Sequence, residues 1–187
     1  MVSLCPVTLD RALAGGPWRP LPETVAELLR DLDAPARLGA HLRLVHDVAW
    51  RLTDALGRRW PALDFDTTAV LFGAATHDVG KVEYPAELAG PGRRHELAGE
   101  RLLLRYGVPA HLARFAASHG TWTEPGRGTE DLLVSLADTV WRGRREPSLE
   151  SLVRTRIGAD VDDILTRLAA DADDRLTFQN AFAIGAG

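Results

Sequence analysis

From Ala36 to about Leu56, Leu38, His41, Val45, Val48, Ala49 and Leu52 recur at steps of three and four residues, the spacing of one helical face. The pattern predicts an amphipathic helix with His41 on its apolar side. Ahead of it, Thr24 stands three residues before Glu27, the spacing of a capping box, and Val25, Leu28, Leu29 and Leu32 form a stripe that ends near Pro35. After a loop at Gly57 to Asp66 that contains Pro61, a strong helical pattern runs from about Thr67 to Gly80. On it Leu71, Ala74, Ala75 and Asp78 share a face, with His77 at the edge. Pro85, Gly90, Pro91 and Gly92 predict a loop from Tyr84 to Arg93, and further helices follow at about Arg94 to Tyr106, Pro109 to Ser118, Thr129 to Arg142 and Leu149 to Asp171. No stretch alternates cleanly with β-branched or aromatic residues, and no long period repeats, so the expected class is all-α and non-repetitive.

The breakers in Gly15-Gly16-Pro17-Trp18-Arg19-Pro20-Leu21-Pro22 predict an extended arm or loop. The expected organisation is an N-terminal arm over residues 1–22, one helical domain over 23–171 and a C-terminal tail over 172–187. In that tail Phe178 and Phe182, four apart, can pin a part, while the last residues are expected to be poorly ordered. A chain of 187 residues supports one sizeable core, and 45% hydrophobic with 26% charged residues is the balance of a folded globular protein. The formal charge of -4 gives no general drive toward polyanions, so any phosphate binding must be local. Cys5 is the single cysteine, which excludes an intramolecular disulfide and a thiolate metal cluster; no disulfide-linked partner is expected. The sequence shows neither a signal-peptide pattern nor a long apolar span, so a cytoplasmic protein without a membrane partner is expected.

The candidate chemistry lies in His41, His77, Asp78, His95, His119 and Asp138, each on or at the end of an expected helix. Imidazole nitrogen and carboxylate oxygen suit Mn, Fe, Co, Ni or Zn, and six such groups exceed what one tetrahedral ion needs, which points to two divalent ions. Neighbouring residues on a helix point about 100 degrees apart, so His77 and Asp78 reach one centre only if it lies between them, as at a helix end. A carboxylate there can bridge two cations.

A lone histidine on an apolar face is ordinarily a hydrogen-bonded core residue, so the set carries more weight than any member. His46, followed by Asp47, sits about 140 degrees from His41 and off the apolar stripe, and His111 falls in the first turn after Pro109; neither is read as a ligand. Asp138 stands in the apolar run of Leu132, Leu133, Val134, Leu136 and Val140, where a carboxylate needs a metal or an arginine. Arg142, Arg144 and Arg145 can grip a phosphate with forked donors or form a solvated surface. Trp122 and Trp141 can stack on a base or pack at a rim.

Thr76-His77-Asp78-Val79-Gly80-Lys81 resembles the core motif of the HD-domain metal-dependent phosphohydrolase superfamily, and the Gly-Lys continuation makes the match far more specific than the pair alone. Arg37-Leu38-Gly39-Ala40-His41, with Val45 and Ala49, is similar to the family's first helix. Arg94-His95-Glu96-Leu97-Ala98-Gly99 resembles the third histidine segment, Ser118-His119-Gly120 the fourth and Leu136-Ala137-Asp138 the closing helix, so the likeness runs from about Arg37 to Arg142. It implies a single-domain helical bundle with a buried metal site. His41, His77, Asp78, His95, His119 and Asp138 would be ligands, as in the two-metal branch.

The implied activity is hydrolysis of a phosphate ester, a phosphomonoester or nucleotide, with Asp78 and Lys81 catalytic and Lys81, Arg142, Arg145 and Trp122 holding a small phosphorylated substrate or an RNA end. The Gly-Tyr-Pro signature of the cyclic-dinucleotide phosphodiesterases is absent; Gly120-Thr121-Trp122-Thr123 follows His119 instead. The same ligand set also resembles that of HD-like diiron oxygenases acting on alcohols or phosphonates, and ligand types cannot separate the two. A non-catalytic nucleotide sensor is the third alternative, against which the complete ligand set argues.

Overall fold

The computed structural model describes residues 8–183; Cys5 and the end of the tail expected to be poorly ordered lie outside them. Among the described residues the chain forms helices and no strand: α1 (Leu9–Ala14), α2 (Glu23–Asp31), α3 (Ala36–Arg59), α4 (Thr67–Thr76), α5 (Arg94–Arg105), α6 (Ala110–Ala113), α7 (Phe115–Ser118), α8 (Thr129–Val140), α9 (Pro147–Ile157), α10 (Asp162–Ala170) and α11 (Ala172–Asn180). Single tight turns occupy Val79–Val82 and Pro85–Leu88. The all-α class is as expected.

Several boundaries differ for local reasons. The helix expected to run to Gly80 stops at Thr76, and the backbone turns at His77 and Asp78. The span from Leu149 to Asp171 is two helices, because Gly158 takes a left-handed conformation (φ 67°) that closes α9. Pro109 to Ser118 likewise divides into α6 and α7. No capping box forms at Thr24: α2 begins at Glu23 directly after Pro22, which leaves Thr24 inside the first turn.

Prolines set the ends of α3. Pro35 holds an extended conformation at its start, and Trp60, just before Pro61, leaves helical space (φ -135°, ψ 77°) because the proline ring disfavours it there. α3 touches α1, α4, α8, α10 and α11 and is buried continuously from Leu38 to Ala49. Its polar residues Arg43 and Asp47 are therefore covered too. Arg43 donates to the carbonyl oxygens of Ala12, Gly15, Trp18 and Arg19, and Asp47 accepts from the Arg19 amide at 2.9 Å. Those bonds lay the segment expected as an extended arm along α3, where Trp18 enters the main apolar cluster.

The C-terminal stretch is tied down in the same way. Arg175 of α11 is fully buried and donates to the carbonyls of Trp141, at the end of α8, and Leu168, in the last turn of α10. Phe178 and Phe182 pack edge-on, with centroids 5.1 Å apart. α11 thus forms a wall beside α3.

Glycines let the site-bearing elements approach closely. A Cβ at Gly73 of α4 would fall 2.7 Å from the Phe115 ring and 2.8 Å from Val134. At Gly80 it would fall 2.0 Å from the His95 carbonyl oxygen and 2.5 Å from the Gly99 amide nitrogen. The turn after Asp78 therefore lies backbone to backbone on α5.

Candidate metal centre

The end of α4 places His77 and Asp78 at the focus of four other elements. His41 comes from the second turn of α3, His95 from the first turn of α5, His119 from the end of α7 and Asp138 from the last turn of α8. All six residues expected to ligate are brought together. His77 is fully buried, while the Asp138 side chain is 30% exposed, so the cluster opens to solvent on the Asp138 side.

Two triads form, each with its donor atoms within 4.8 Å of one another: His41, His77 and Asp138, and Asp78, His95 and His119. In the first, His41 Nε2 lies 3.2 Å from His77 Nε2 and 3.5 Å from Asp138 Oδ1, and His77 Nε2 lies 3.3 Å from Asp138 Oδ1. A cation held at about 2.0–2.2 Å by ligands roughly 90–110° apart would separate its ligand atoms by roughly 3.0–3.5 Å. The observed edges match that spacing.

In the second triad Asp78 Oδ1 is 3.0 Å from His95 Nε2 and 3.5 Å from His119 Nε2. The other oxygen of Asp78 faces the first triad, 3.1 Å from His41 Nε2 and 3.6 Å from His77 Nε2. One carboxylate therefore offers an oxygen to each group.

The donor chemistry also fits cations. His77 Nδ1 and His119 Nδ1 each donate to a carbonyl one turn back, of Ala74 and Ala116, both at 3.0 Å, which turns Nε2, the atom a cation would take, into the cluster. Asp78 Oδ1 and His95 Nε2 are buried and, though near, are not aligned for a hydrogen bond with each other or with any other group. Inward lone pairs without protein partners are the signature of ligand atoms.

Burial opposes charge throughout the cluster, yet its carboxylates stay ionised. For Asp78, burial pushes the carboxyl up, but the charge on His77, the close His41 and His95 rings, and Lys81 hold it well below the ordinary range. Asp138 is likewise driven far down by His77 and His41 against its burial. Burial pushes His41 and His119 down and keeps them neutral. His77 and His95 are raised because their carboxylate neighbours outweigh burial, so in the metal-free protein protons take up charge that cations would otherwise balance.

A cavity of about 330 Å³ opens onto this centre, lined by His41, Asp78, His95, His119 and Asp138 and, further out, by Arg37, Lys81, Trp141, Arg142, Gln179 and Asn180. Lys81 Nζ donates to Asp78 Oδ2 at 2.6 Å, and the Trp141 ring packs edge-on to His41 with centroids 4.9 Å apart. Of the residues expected to hold substrate, Lys81 and Arg142 are there and two are not. Arg145 does not line the cavity, since Glu150 and Asp162 engage its guanidinium. Trp122 lines a separate hollow with Pro125, Arg127 and Arg156. His46 faces a groove beside Arg19, Leu21 and Phe72, away from the cluster.

Sequence reasoning missed Glu87, Gln179 and Asn180, and saw Arg37 only as part of a motif. Glu87 accepts from His95 Nδ1 at 2.6 Å across a loop, and no periodicity could have signalled it. Arg37 stands one helical turn before His41 and its Nε is buried without a partner, a phase that helix geometry could have shown. Gln179 and Asn180 come from the stretch expected as a tail.

Among known families, a model described as HD domain matches residues 38–174. No curated protein and no solved structure matches the chain.

Proposed function

The chain belongs to the HD domain family, whose members are for the most part metal-dependent hydrolases, and from that premise we propose that it cleaves a phosphate ester, a small phosphomonoester or nucleotide, with two divalent transition-metal ions. The observation that carries the reading is the position of Asp78, which turns one oxygen toward His41 and His77 and the other toward His95 and His119. When bound, the ions supply Lewis acidity to the phosphoryl oxygens and to the attacking water.

The chain's own residues provide the remainder. Asp78 would hold both ions between the two subsites, with His41, His77 and Asp138 completing one and His95 and His119 the other. Lys81, Arg37 and Arg142 line the approach and offset the negative charge of a phosphate; the two guanidinium groups can do so in forked geometry. Trp141 holds the His41 ring from the side, and the Gln179 and Asn180 amides are placed to hydrogen-bond the non-phosphate part of the substrate. The cavity volume is near the lower end of ligand pockets, roughly 300–1,000 Å³, which favours one small molecule over a polymer.

The deciding experiment strips the protein of metal, reloads it with Mn, Co, Ni, Mg, Fe or Zn, and measures phosphate release from nucleotides, sugar phosphates and phosphorylated RNA ends. At least one pairing should turn over, and His77→Ala or Asp78→Ala should abolish that turnover while leaving helical circular dichroism intact. Turnover that survives either change overturns the assignment. Oxygen uptake by the iron-loaded protein without phosphate release with any metal would point to oxygenase chemistry instead.

A further inference from the structure

We propose that Glu87 is a positioning residue for one metal subsite, holding His95 so that the group formed by Asp78, His95 and His119 binds its ion. This rests on the two-ion reading above. The four histidines of the cluster differ in what stands behind them. His77 and His119 give Nδ1–H to the carbonyls of Ala74 and Ala116, and His41 Nδ1 is buried without a partner. His95 alone is backed by a carboxylate, its Nδ1 lying 2.6 Å from Glu87 Oε2.

The surroundings of Glu87 suit that task. Oε2 also accepts the His95 backbone amide at 3.1 Å and Oε1 the Arg94 amide at 3.3 Å, so one side chain holds the first turn of α5 and the imidazole it carries. The Glu87 side chain is 9% exposed. The loop folds directly over it: a Cβ on Gly92 would fall 2.3 Å from Glu87 Cδ. With its Nδ1 proton fixed, His95 directs Nε2 at Asp78 Oδ1, and a negative charge behind the ring strengthens that nitrogen as a donor to a cation. The effect falls on one subsite, because His95 has no place in the group of His41, His77 and Asp138.

The test titrates metal-free protein with zinc in a competing chelator, comparing wild type with Glu87→Gln, which keeps the shape, and Gly92→Ala, which displaces the carboxylate without altering it. Wild type is expected to take two ions. Both variants should retain the first affinity, which also reports an intact fold, and lose about 10–100-fold in the second. Nitrogen-15 NMR of the zinc-loaded proteins gives a second readout, with the His95 Nδ1–H shifted downfield and slow to exchange with water in wild type and faster to exchange in Glu87→Gln. Two unchanged affinities in Glu87→Gln overturn the proposal. If wild type takes a single ion, the two-ion reading fails, and the NMR signal alone decides Glu87: faster exchange of the Nδ1 proton in the variant supports its role, and identical signals overturn it.

Discussion

At the scale of single residues, two buried histidines on one helix have opposite surroundings. His41 faces two carboxylates, whereas His46, five residues on, is buried beside Arg19 with its Nδ1 unpartnered. Burial, with a smaller push from Arg19, lowers the His46 imidazole to about 4 from its ordinary value of 6.5. A depressed folded-state value favours the neutral ring, so its contribution to stability is fully present above pH 6.5 and is lost as pH falls toward 4. In that interval the unfolded chain binds a proton that the folded chain refuses, and the loss amounts to about 3 kcal/mol. Denaturant unfolding of wild type and His46→Leu across this range should give curves that converge toward acid by that amount. Parallel curves would show that His46 does not titrate as a buried neutral group. The same contrast explains the assignment of ligands: a carboxylate within reach turns a buried histidine into a candidate donor, and its absence leaves a core residue.

At the scale of elements, the centre depends on how closely the turn at Val79–Val82 lies on α5. Gly80 gives the His-Asp-Val-Gly-Lys motif its steric logic, since its α-carbon faces the backbone of His95 and Gly99 with no room for a methyl group. Backbone atoms of a packed helix cannot yield as a flexible side chain can. Gly80→Ala is expected to cost about 2–3 kcal/mol of stability and to weaken zinc binding by displacing His95 from Asp78, measured by thermal unfolding and metal titration. A melting temperature and zinc affinity equal to wild type would contradict this account. The break between α9 and α10 has an equally local cause in Gly158, whose left-handed conformation closes α9. Each of these glycines is visible in the sequence; what it approaches is not.

At the scale of the whole molecule, two buried arginines fasten outlying segments to the helices that carry the metal-site cluster, Arg43 through the stretch from Ala12 to Arg19 and Arg175 through α11. Arg175→Met keeps the volume but leaves the Trp141 and Leu168 carbonyls without donors, at a cost of about 1–3 kcal/mol each, offset in part because a buried charge is also removed. Hydrogen exchange should then quicken in Ala172–Asn180 while α3 keeps its protection, and substrate affinity should fall because Gln179 and Asn180 no longer hold the cavity wall. Unchanged exchange in α11 would refute this. The sequence by itself determined the all-α class and the six residues that gather in the cluster, because helical phase and a contiguous motif are local properties that short-range geometry expresses directly. Only the tertiary structure decided that Arg145 and Trp122 stand away from the cavity, that Arg37, Gln179 and Asn180 line it, and that Glu87 stands behind His95. Those placements depend on how distant segments pack and on which carboxylate reaches which cation first. Ion pairs such as Arg145 with Glu150 and Asp162 leave no periodic trace along the chain.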